Sequence, residues 1–259
     1  MDRSSYKLYH VHDHDSRAYV ETYYSGNPDM PFKEDTLKTP MTKLHNAFKM
    51  GHITGKVLID ISGGPQVYHL CSACEYFQEI IPMRLTDKCI MEIMKWHKDR
   101  TGGFGWGHTI AHVTDLEGRS DQYEAKEMKM KSVIERVVKF DIESEDLTDI
   151  GVPQADCVIT NMLLDKICKN QDDYMRYLRK MLCLLKPGGH MILLGATNTT
   201  FYTVGVQKFH YFKYDENFAR DALVREGMTI LQCEDTPRTS ESPLSDYGGI
   251  LFIVACKQK

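Results

Sequence analysis

The chain has 259 residues, of which 42% are hydrophobic and 26% are charged, and its formal net charge is −4 at pH 7. A chain of this length can bury one large core as a single domain, and its slight acidity does not favour a nucleic acid partner. No segment approaches the ~20 apolar residues of a membrane span, and the N-terminus lacks the apolar region of a signal peptide. Eight scattered cysteines favour reduced thiols. These features predict a cytosolic protein, expected to be a monomer without a membrane partner.

Strands and helices alternate after a helical segment at residues 1–50. A buried strand is predicted at 56–61, a helix at 67–77, and a second strand at 79–85, in which Pro82 indicates an edge or a bulge. Further helices are expected at 89–99, 120–135, 172–185 and 216–227, and further strands at 136–142, 155–160, 190–196, 228–234 and 249–257. The alternation predicts a doubly wound α/β fold with a mostly parallel, seven-stranded sheet that ends in an antiparallel hairpin.

Ligands of such sheets bind beyond the carboxyl ends of the strands, where the strand order reverses. This rule brings the segment 60–65, Arg84, Asp141 and Asn161 to one crevice. A glycine-rich turn before a helix lets backbone N–H groups approach an anionic group. The turn lacks the G-x-G-x-x-G pattern, which argues against an NAD(P)-dependent oxidoreductase.

Ordered motifs over nearly the whole chain resemble one family of enzymes, the small-molecule N-methyltransferases that include nicotinamide, indolethylamine and phenylethanolamine N-methyltransferases. The motifs are RAYVETYY (17–24), LIDISGGPQVYHLCSACEYFQEI (58–80), DLEG (115–118), VVKFDI (137–142), ADCVIT (155–160), LLKPGGHMIL (184–193) and YTVGVQKF (202–209). The resemblance implies a single methyltransferase domain at 1–259. Residues 1–50 would form a helical lid over a core at 56–259, with a substrate cap at 197–213.

The resemblance also implies S-adenosylmethionine as the cofactor and a nitrogen of a small molecule as the methyl acceptor. Tyrosine faces can stabilise the sulfonium cation of this cofactor, and Asp141 is expected to accept a hydrogen bond from its adenine amino group. The implied cofactor residues are Tyr19, Tyr24, Ser62, Gly63, Gly64, Tyr68, Arg84, Cys89, Asp141, Ile142 and Asn161. The implied acceptor residues are Tyr23, Leu163, Gly195, Thr199, Tyr202 and Tyr211.

Methyl transfer to nitrogen is an in-line displacement that requires chiefly the positioning of two reactants and the exclusion of water. The catalytic role expected of Tyr19 is therefore to orient the acceptor, while Tyr23 and Tyr24 close the lid. No metal site is expected. The C-x-x-C pair at Cys71 and Cys74 has no second pair, and the histidines at residues 10–14 lie in a polar stretch.

Three residues depart from the family pattern. Ser62 stands where the family has glycine, and a positive φ there would cost about 1–2 kcal/mol. Arg84 stands where an acidic residue holds both ribose hydroxyls, and arginine has no hydrogen-bond acceptor; losing one such bond costs roughly 1.5–3 kcal/mol. Asp87 is a candidate substitute if the chain turns early. Gly195 replaces an aspartate that holds the carboxamide in nicotinamide-specific members, which leaves room for a bulkier or uncharged acceptor.

These departures leave three functional hypotheses. The first is an active N-methyltransferase for a pyridine or arylalkylamine. The second is a family member that has lost catalysis and acts as a ligand-binding or structural protein. The third is an NAD(P)-dependent oxidoreductase, in which Arg84 would bind a phosphorylated ribose.

Overall fold

A computed structural model describes residues 15–27, 30 and 33–258 of the chain. The strands of this part are β1 (Gly55–Ser62), β2 (Phe77–Arg84), β3 (Val138–Lys139), β4 (Ala155–Asn161), β5 (Leu185–Thr197), β6 (Phe201–Val204), β7 (Gln207–His210), β8 (Met228–Pro237) and β9 (Gly249–Lys257). The α-helices are α1 (Ser16–Tyr24), α2 (Thr39–Lys49), α3 (Leu70–Ala73), α4 (Asp87–His97), α5 (Gly107–Leu116), α6 (Tyr123–Val133), α7 (Leu164–Ile167), α8 (Gln171–Cys183) and α9 (Glu216–Arg225). A π-helix at Lys33–Lys38 and a 3-10 helix at Leu147–Ile150 complete the set.

The main sheet has seven strands in the order β3-β2-β1-β4-β5-β9-β8. Strands β1 to β5 are parallel, and β9 runs antiparallel to both β5 and β8. The predicted doubly wound sheet with an antiparallel C-terminal hairpin is therefore confirmed. The order reverses between β1 and β4, so the carboxyl ends of these two strands define the crevice in which such folds bind ligands.

Strand β1 is buried on both faces, as its continuous apolar run predicts for a central parallel strand. Leu58 packs into one hydrophobic cluster, which includes Phe48 of α2. Its neighbours Ile59 and Ile61 point the other way, into the cluster that contains Leu178 of α8. Two helical layers thus sandwich the sheet. The strand leads a polar residue, Asp60, into the interior near its carboxyl end.

The sheet edge at β3 is shorter than the sequence indicated. The segment 136–142 is rich in β-branched residues, yet only Val138 and Lys139 pair with β2. This short pairing explains the proline in β2, because Pro82 precedes the two β2 residues that face β3. Pro82 therefore withholds no N–H group from the β3 ladder, although β2 lies between β3 and β1 and is not itself the edge strand.

Several helical and cap segments differ from the sequence prediction. Helix α3 has four residues rather than the predicted 67–77, since the chain leaves it in turns before β2. Helix α5 was not predicted; it begins at Gly107 without a side-chain cap. The segment 197–213 contains a two-stranded hairpin, β6-β7, outside the main sheet.

Helix α1 lies over the crevice, in the segment for which a lid is predicted. Its N-cap is Asp15, whose side chain accepts hydrogen bonds from the N–H groups of Arg17 and Ala18. Its apolar stripe buries Tyr19, Val20, Tyr23 and Tyr24 against the core. The polar N-terminal histidines at residues 10–14 lie outside the described residues. Within those residues, no helix is long and apolar enough to cross a membrane.

Gly63 lies where the turn after β1 meets the end of β4, and a Cβ atom there would overlap the carbonyl oxygen of Met162. We expect Gly63→Ala to lower the free energy of unfolding by about 1–3 kcal/mol, because backbone rather than a flexible side chain must move. Urea denaturation measures this loss. The matched control is Gly105→Ala, since nothing lies within 4 Å of the added atom there. Equal effects of the two substitutions would contradict a tight contact at Gly63.

Candidate functional site

A buried carboxylate, that of Asp60, organises the crevice. Its Oδ2 accepts a hydrogen bond from Nη2 of Arg84 at 2.7 Å, and its Oδ1 accepts one from Nε2 of His69 at 2.8 Å. Ser62 Oγ also donates to Oδ1. Burial raises the pKa of Asp60, but the positive charge of Arg84 and the bonds from His69 and Ser62 outweigh burial and lower that pKa to about 2. Asp60 is therefore an anion at neutral pH.

The Arg84 guanidinium is fully buried and ties three segments together. Its Nη1 donates to the carbonyl oxygens of Asp60 and Met83 at 3.0 and 2.9 Å, and its Nη2 donates to that of Gln66 at 3.0 Å. Arg84 therefore holds the ends of β1 and β2 and the intervening loop. The side chain of Arg84 is turned inward and offers donors alone, and its assignment to the cofactor site stays a prediction.

Asp87 does not replace the missing ribose acid. It lies in the first turn of α4, with its side chain 72% exposed and paired with Lys139 at 2.6 Å. The helix cap is Thr86, whose hydroxyl accepts from the N–H of Cys89. Cys89 is buried, and its Sγ lies 3.2 Å from Oγ of Ser16. The Asp87 side chain thus lies at the surface, where it pairs with Lys139.

Ser62 adopts its position without backbone strain. The non-glycine residues with positive φ in the described chain are Asp99, Met162 and Asn198, and Ser62 is not among them. Its hydroxyl is used instead to bind Asp60. Met162, which directly follows β4, has a φ of 53°, a left-handed conformation that side chains larger than glycine rarely adopt. Such strain often accompanies a functional site.

Asn161 at the end of β4 connects the loop to its surroundings. Its Nδ2 donates to Nδ1 of His69 at 3.1 Å and to the hydroxyl of Tyr68 at 3.3 Å. Since Nδ1 of His69 accepts, Nε2 carries the proton that is donated to Asp60. Two buried acceptors at the loop, Oδ1 of Asn161 and Oε1 of Gln66, have no hydrogen-bond partner. Buried acceptors without a partner indicate a site for a ligand that donates hydrogen bonds.

A cleft of about 560 Å³ opens beyond the carboxyl ends of β2, β3 and β4. Asp141 and Ile142, the residues expected at the adenine, both line it. Ile142 is buried, whereas Asp141 is exposed and accepts a hydrogen bond from the N–H of Glu143 at 2.9 Å. The remaining lining includes Leu85, Phe140, Ile167 and Tyr177. The cleft also contains charged and polar side chains, namely those of Lys139, Glu143, Lys169, Asn170, Asp173 and Arg176, so it combines apolar and charged surfaces.

A smaller cavity, of about 50 Å³, lies under the lid helix. Five predicted site residues line it: Tyr19, Tyr23, Tyr24, Tyr202 and Tyr211. The tyrosines of α1 are thus brought against those of the cap. The hydroxyl of Tyr23 donates to the carbonyl oxygen of Thr203 at 2.9 Å and accepts from its N–H at 3.1 Å. Tyr24 stacks on Tyr68 at 5.3 Å between ring centroids. These contacts fasten the lid to β6 and to the loop. We refer to this space as the tyrosine cavity.

Lys166 of α7 also lines the tyrosine cavity, and sequence reasoning missed it. Its Nζ donates to the hydroxyl of Tyr19 at 2.5 Å and lies 4.3 Å and 4.8 Å from the ring centroids of Tyr19 and Tyr202. Burial lowers the pKa of Lys166 to about 7. In the sequence, the one indication that Lys166 is buried was its place inside the apolar run MLLDKIC.

The neighbouring carboxyl group, that of Asp165, forms its hydrogen bonds with other partners. Its Oδ2 accepts from the Tyr211 hydroxyl at 2.7 Å and from the N–H of Ala196 at 3.0 Å. Burial raises the pKa of Asp165. Asp165 therefore positions Tyr211 and the carboxyl end of β5.

Three predicted acceptor residues do not reach the tyrosine cavity. Leu163 packs into the core cluster on the opposite side of the sheet, and its neighbour Met162 lines the cavity instead. Thr199 is buried, and its hydroxyl donates to the carbonyl oxygen of Thr197 at 3.1 Å. Gly195 leaves no room for a bulky acceptor, because a Cβ there would overlap the hydroxyl of Tyr214. The assignment of these three residues to the acceptor stays a prediction.

Comparison with known proteins identifies the family. A sequence model of the NNMT/PNMT/TEMT family matches residues 5–258. The chain belongs to this family. It is 33% identical to mouse indolethylamine N-methyltransferase over 242 residues, which cover 93% of this chain and 92% of that protein. Human nicotinamide N-methyltransferase gives the same values. Human phenylethanolamine N-methyltransferase is 29% identical over 219 residues, which cover 83% of this chain and 78% of the relative.

Solved structures support the fold of this family member. An S-adenosylmethionine-dependent methyltransferase from Clostridium acetobutylicum superposes with a TM-score of 0.56 at 11% identity, covering 94% of this chain and 99% of that one. The glycopeptide N-methyltransferase MtfA in complex with S-adenosylmethionine gives a TM-score of 0.54 at 9% identity, covering 84% and 94%. The shared architecture is the class I methyltransferase fold. Within residues 15–27, 30 and 33–258, no group of three or more histidines, cysteines or acids is arranged to hold a metal.

Removing Arg84 would leave the Asp60 charge buried with weaker partners. We expect Arg84→Ala to lower the free energy of unfolding by about 3–5 kcal/mol, the usual effect of breaking a buried ion pair. Chemical denaturation measures this change. The control is Lys139→Ala, which breaks an exposed pair and should shift stability by no more than about 0.5 kcal/mol. A small effect of the Arg84 substitution would disprove its role as the clasp of the loop.

The low pKa of Asp60 makes the stability of the fold sensitive to acid. This pKa falls from 3.8 to about 2 on folding, so the stabilisation is present above pH 4 and is lost as pH falls through 2. The difference corresponds to about 2–3 kcal/mol. Urea midpoints between pH 5 and pH 2 test this expectation in the wild type and in Asp60→Asn. A wild-type slope over this range no steeper than that of the variant would refute it.

Proposed function

We propose that the chain transfers a methyl group from S-adenosylmethionine to a nitrogen atom of a small pyridine or arylalkylamine. The main observation that supports this proposal is the tyrosine cavity, which lies beside the glycine turn where the strand order reverses. Tyr19 joins the two parts, since its ring contacts the position of a Cβ on Gly64. Membership of the N-methyltransferase family supports the reaction, and the hypothesis of a catalytically impaired member has no support in the relatives.

The residues present fit the cofactor at its two ends. Asp141 and Ile142 would hold the adenine in the large cleft. The orphan acceptors Asn161 Oδ1 and Gln66 Oε1 would receive hydrogen bonds from the ammonium of the amino-acid part. When bound, the cofactor supplies an electrophilic methyl group on a sulfonium ion, whose charge tyrosine faces stabilise. The ribose position departs from the family pattern, because Arg84 is committed to Asp60.

The chain contributes to this reaction by positioning and by excluding water. Tyr19, fixed by the bond from Lys166 and by contact with the Tyr24 hydroxyl at 3.2 Å, would orient the acceptor. The acceptor nitrogen attacks with a free lone pair, so a pyridine needs no base, and an amine must only be neutral. Tyr23 would hold the lid closed through its bonds to Thr203. Geometry of this kind contributes several kcal/mol to a displacement.

Helix α1 must move for the reactants to enter. The tyrosine cavity of about 50 Å³ has room for one or two water molecules, and the Tyr19 ring covers Gly64. The described state is therefore the closed one. Lid motions of this type are common in enzymes that exclude water. The cytosolic location and the monomeric state expected from the sequence stay predictions.

Calorimetric titration with S-adenosylmethionine and S-adenosylhomocysteine tests the cofactor site. We expect Asp141→Ala to weaken the binding of both by about 10–100-fold, because one hydrogen bond to a charged group is lost. Asp121→Ala, at an exposed position between α5 and α6, is the control and should bind as the wild type does. Transfer of a labelled methyl group to pyridines and arylalkylamines then tests the reaction. A folded protein that binds neither cofactor form would overturn the proposed function.

A further inference from the structure

Lys166 is a buried amine that forms no salt bridge with a carboxylate of the described residues, although the charge of the adjacent Asp165 partly offsets the effect of burial on its pKa. Its side chain is 3% exposed, and no carboxylate of the described residues lies within salt-bridge distance of its Nζ. Asp165, the adjacent residue, is bonded to Tyr211 and to the backbone instead. Burying an ammonium without a counter-ion is costly, and such groups are concentrated at functional sites.

The surroundings of the Lys166 ammonium are suited to an aromatic ligand. The hydroxyl and ring of Tyr19 and the ring of Tyr202 lie against Nζ. The rest of the tyrosine cavity, as far as the structure describes it, contains aromatic, small and aliphatic residues and no acid. A positively charged amine would therefore meet a cation here and no carboxylate. An anion on an aromatic ring would meet both a cation and ring faces.

We propose that Lys166 selects the methyl acceptor and that the acceptor is a small nitrogen heterocycle bearing a carboxylate. The carboxylate pairs with the ammonium, and the ring lies among the tyrosine side chains. This inference rests on the proposed function and narrows it to one substrate class. The other groups that face Lys166 are Asp165 of its own helix and Cys89 of α4, together with Tyr19 of α1 and Tyr202 of β6.

The charges of the reaction support this choice. A bound sulfonium brings a second positive charge into a site of low dielectric, where two cations repel strongly. An anionic acceptor offsets one of them. The ring nitrogen forms the new N–CH₃ bond with its lone pair, and the electron pair of the broken C–S bond stays on sulfur. No proton is released, and the product is a zwitterion with a pyridinium ring and a carboxylate.

The test compares pyridine-3-carboxylate with pyridine-3-carboxamide, which present the same ring nitrogen and differ in charge. Calorimetry measures the binding of each to the protein without cofactor, and a labelled methyl assay gives kcat and KM. We expect the wild type to bind the carboxylate at least tenfold more tightly than the carboxamide and to methylate it with at least tenfold higher kcat/KM.

The variants separate recognition from folding. Lys166→Met should raise KM for the carboxylate at least tenfold and leave the carboxamide unchanged or improved, whereas Lys166→Arg should retain the preference for the anion. Lys129→Met, at an exposed position of α6, is the matched control and should behave as the wild type.

Each contrary result bears on one claim. Methylation of the carboxamide or of arylalkylamines, without preference for the carboxylate, would overturn the inference and leave the proposed function intact. Equal binding of carboxylate and carboxamide by the wild type would also overturn the inference, whatever the variants do. Absence of transfer to any of these acceptors would overturn both.

Discussion

The pairing of the Asp60 carboxylate with the Arg84 guanidinium is the constraint on which the crevice depends. Both groups are fully buried, and each would destabilise the fold strongly if it stood alone. The pair brings together the ends of β1 and β2, while His69 and Ser62 bind the second carboxylate oxygen. The loop between them is thereby fixed from three sides. Its rigidity allows the glycine turn to approach the backbone of Met162 closely.

This arrangement changes how the crevice can hold a cofactor. An acid at the end of β2 would face outward to accept ribose hydroxyls. Arg84 turns inward instead, because the carboxylate of Asp60 lies in the interior and accepts its hydrogen bond. The residue change at this position thus converts a ligand contact into a structural one. In the proposed function, recognition of the cofactor depends on the cleft at Asp141 and on the acceptors of Asn161 and Gln66. The glycine turn keeps its role, since Ser62 needs no left-handed backbone.

The sequence predicted those features that depend on local pattern. An apolar run bounded by glycines identified β1, further apolar runs identified β4 and β5, and the alternation of elements predicted the parallel sheet. Helix α5 was not predicted, because Trp106 provides no side-chain cap at its start. The segment 136–142 favours a strand by composition, but an edge strand ends where its neighbour ends, and β2 stops at Arg84. Pairing partners, rather than propensity, decided that boundary.

Long-range contacts account for what the sequence could not reveal in the site. The spacing of the α1 tyrosines indicated only the apolar face of a helix, and their placement over the crevice was expected from the family resemblance. Lys166 was not, because a lysine near a strand end ordinarily reaches solvent. Its burial depends on Tyr19, which lies 147 residues away in the chain. The space beside Gly195 is likewise filled by Tyr214, a residue of a later segment. No periodic pattern in the sequence indicates either of these two contacts.

The two buried cations of the crevice have different consequences because only one of them is neutralised within the described chain. Arg84 has its carboxylate, so its charge stabilises the loop whether or not a ligand is present. Lys166 has a hydroxyl and two aromatic faces, which stabilise an ammonium less well than an anion does. Its burial therefore lowers its pKa, whereas an arriving anion would raise it again. A charge without a salt-bridge partner is available to recognise a ligand, and Lys166 holds that charge in the tyrosine cavity, where the proposed function places the acceptor.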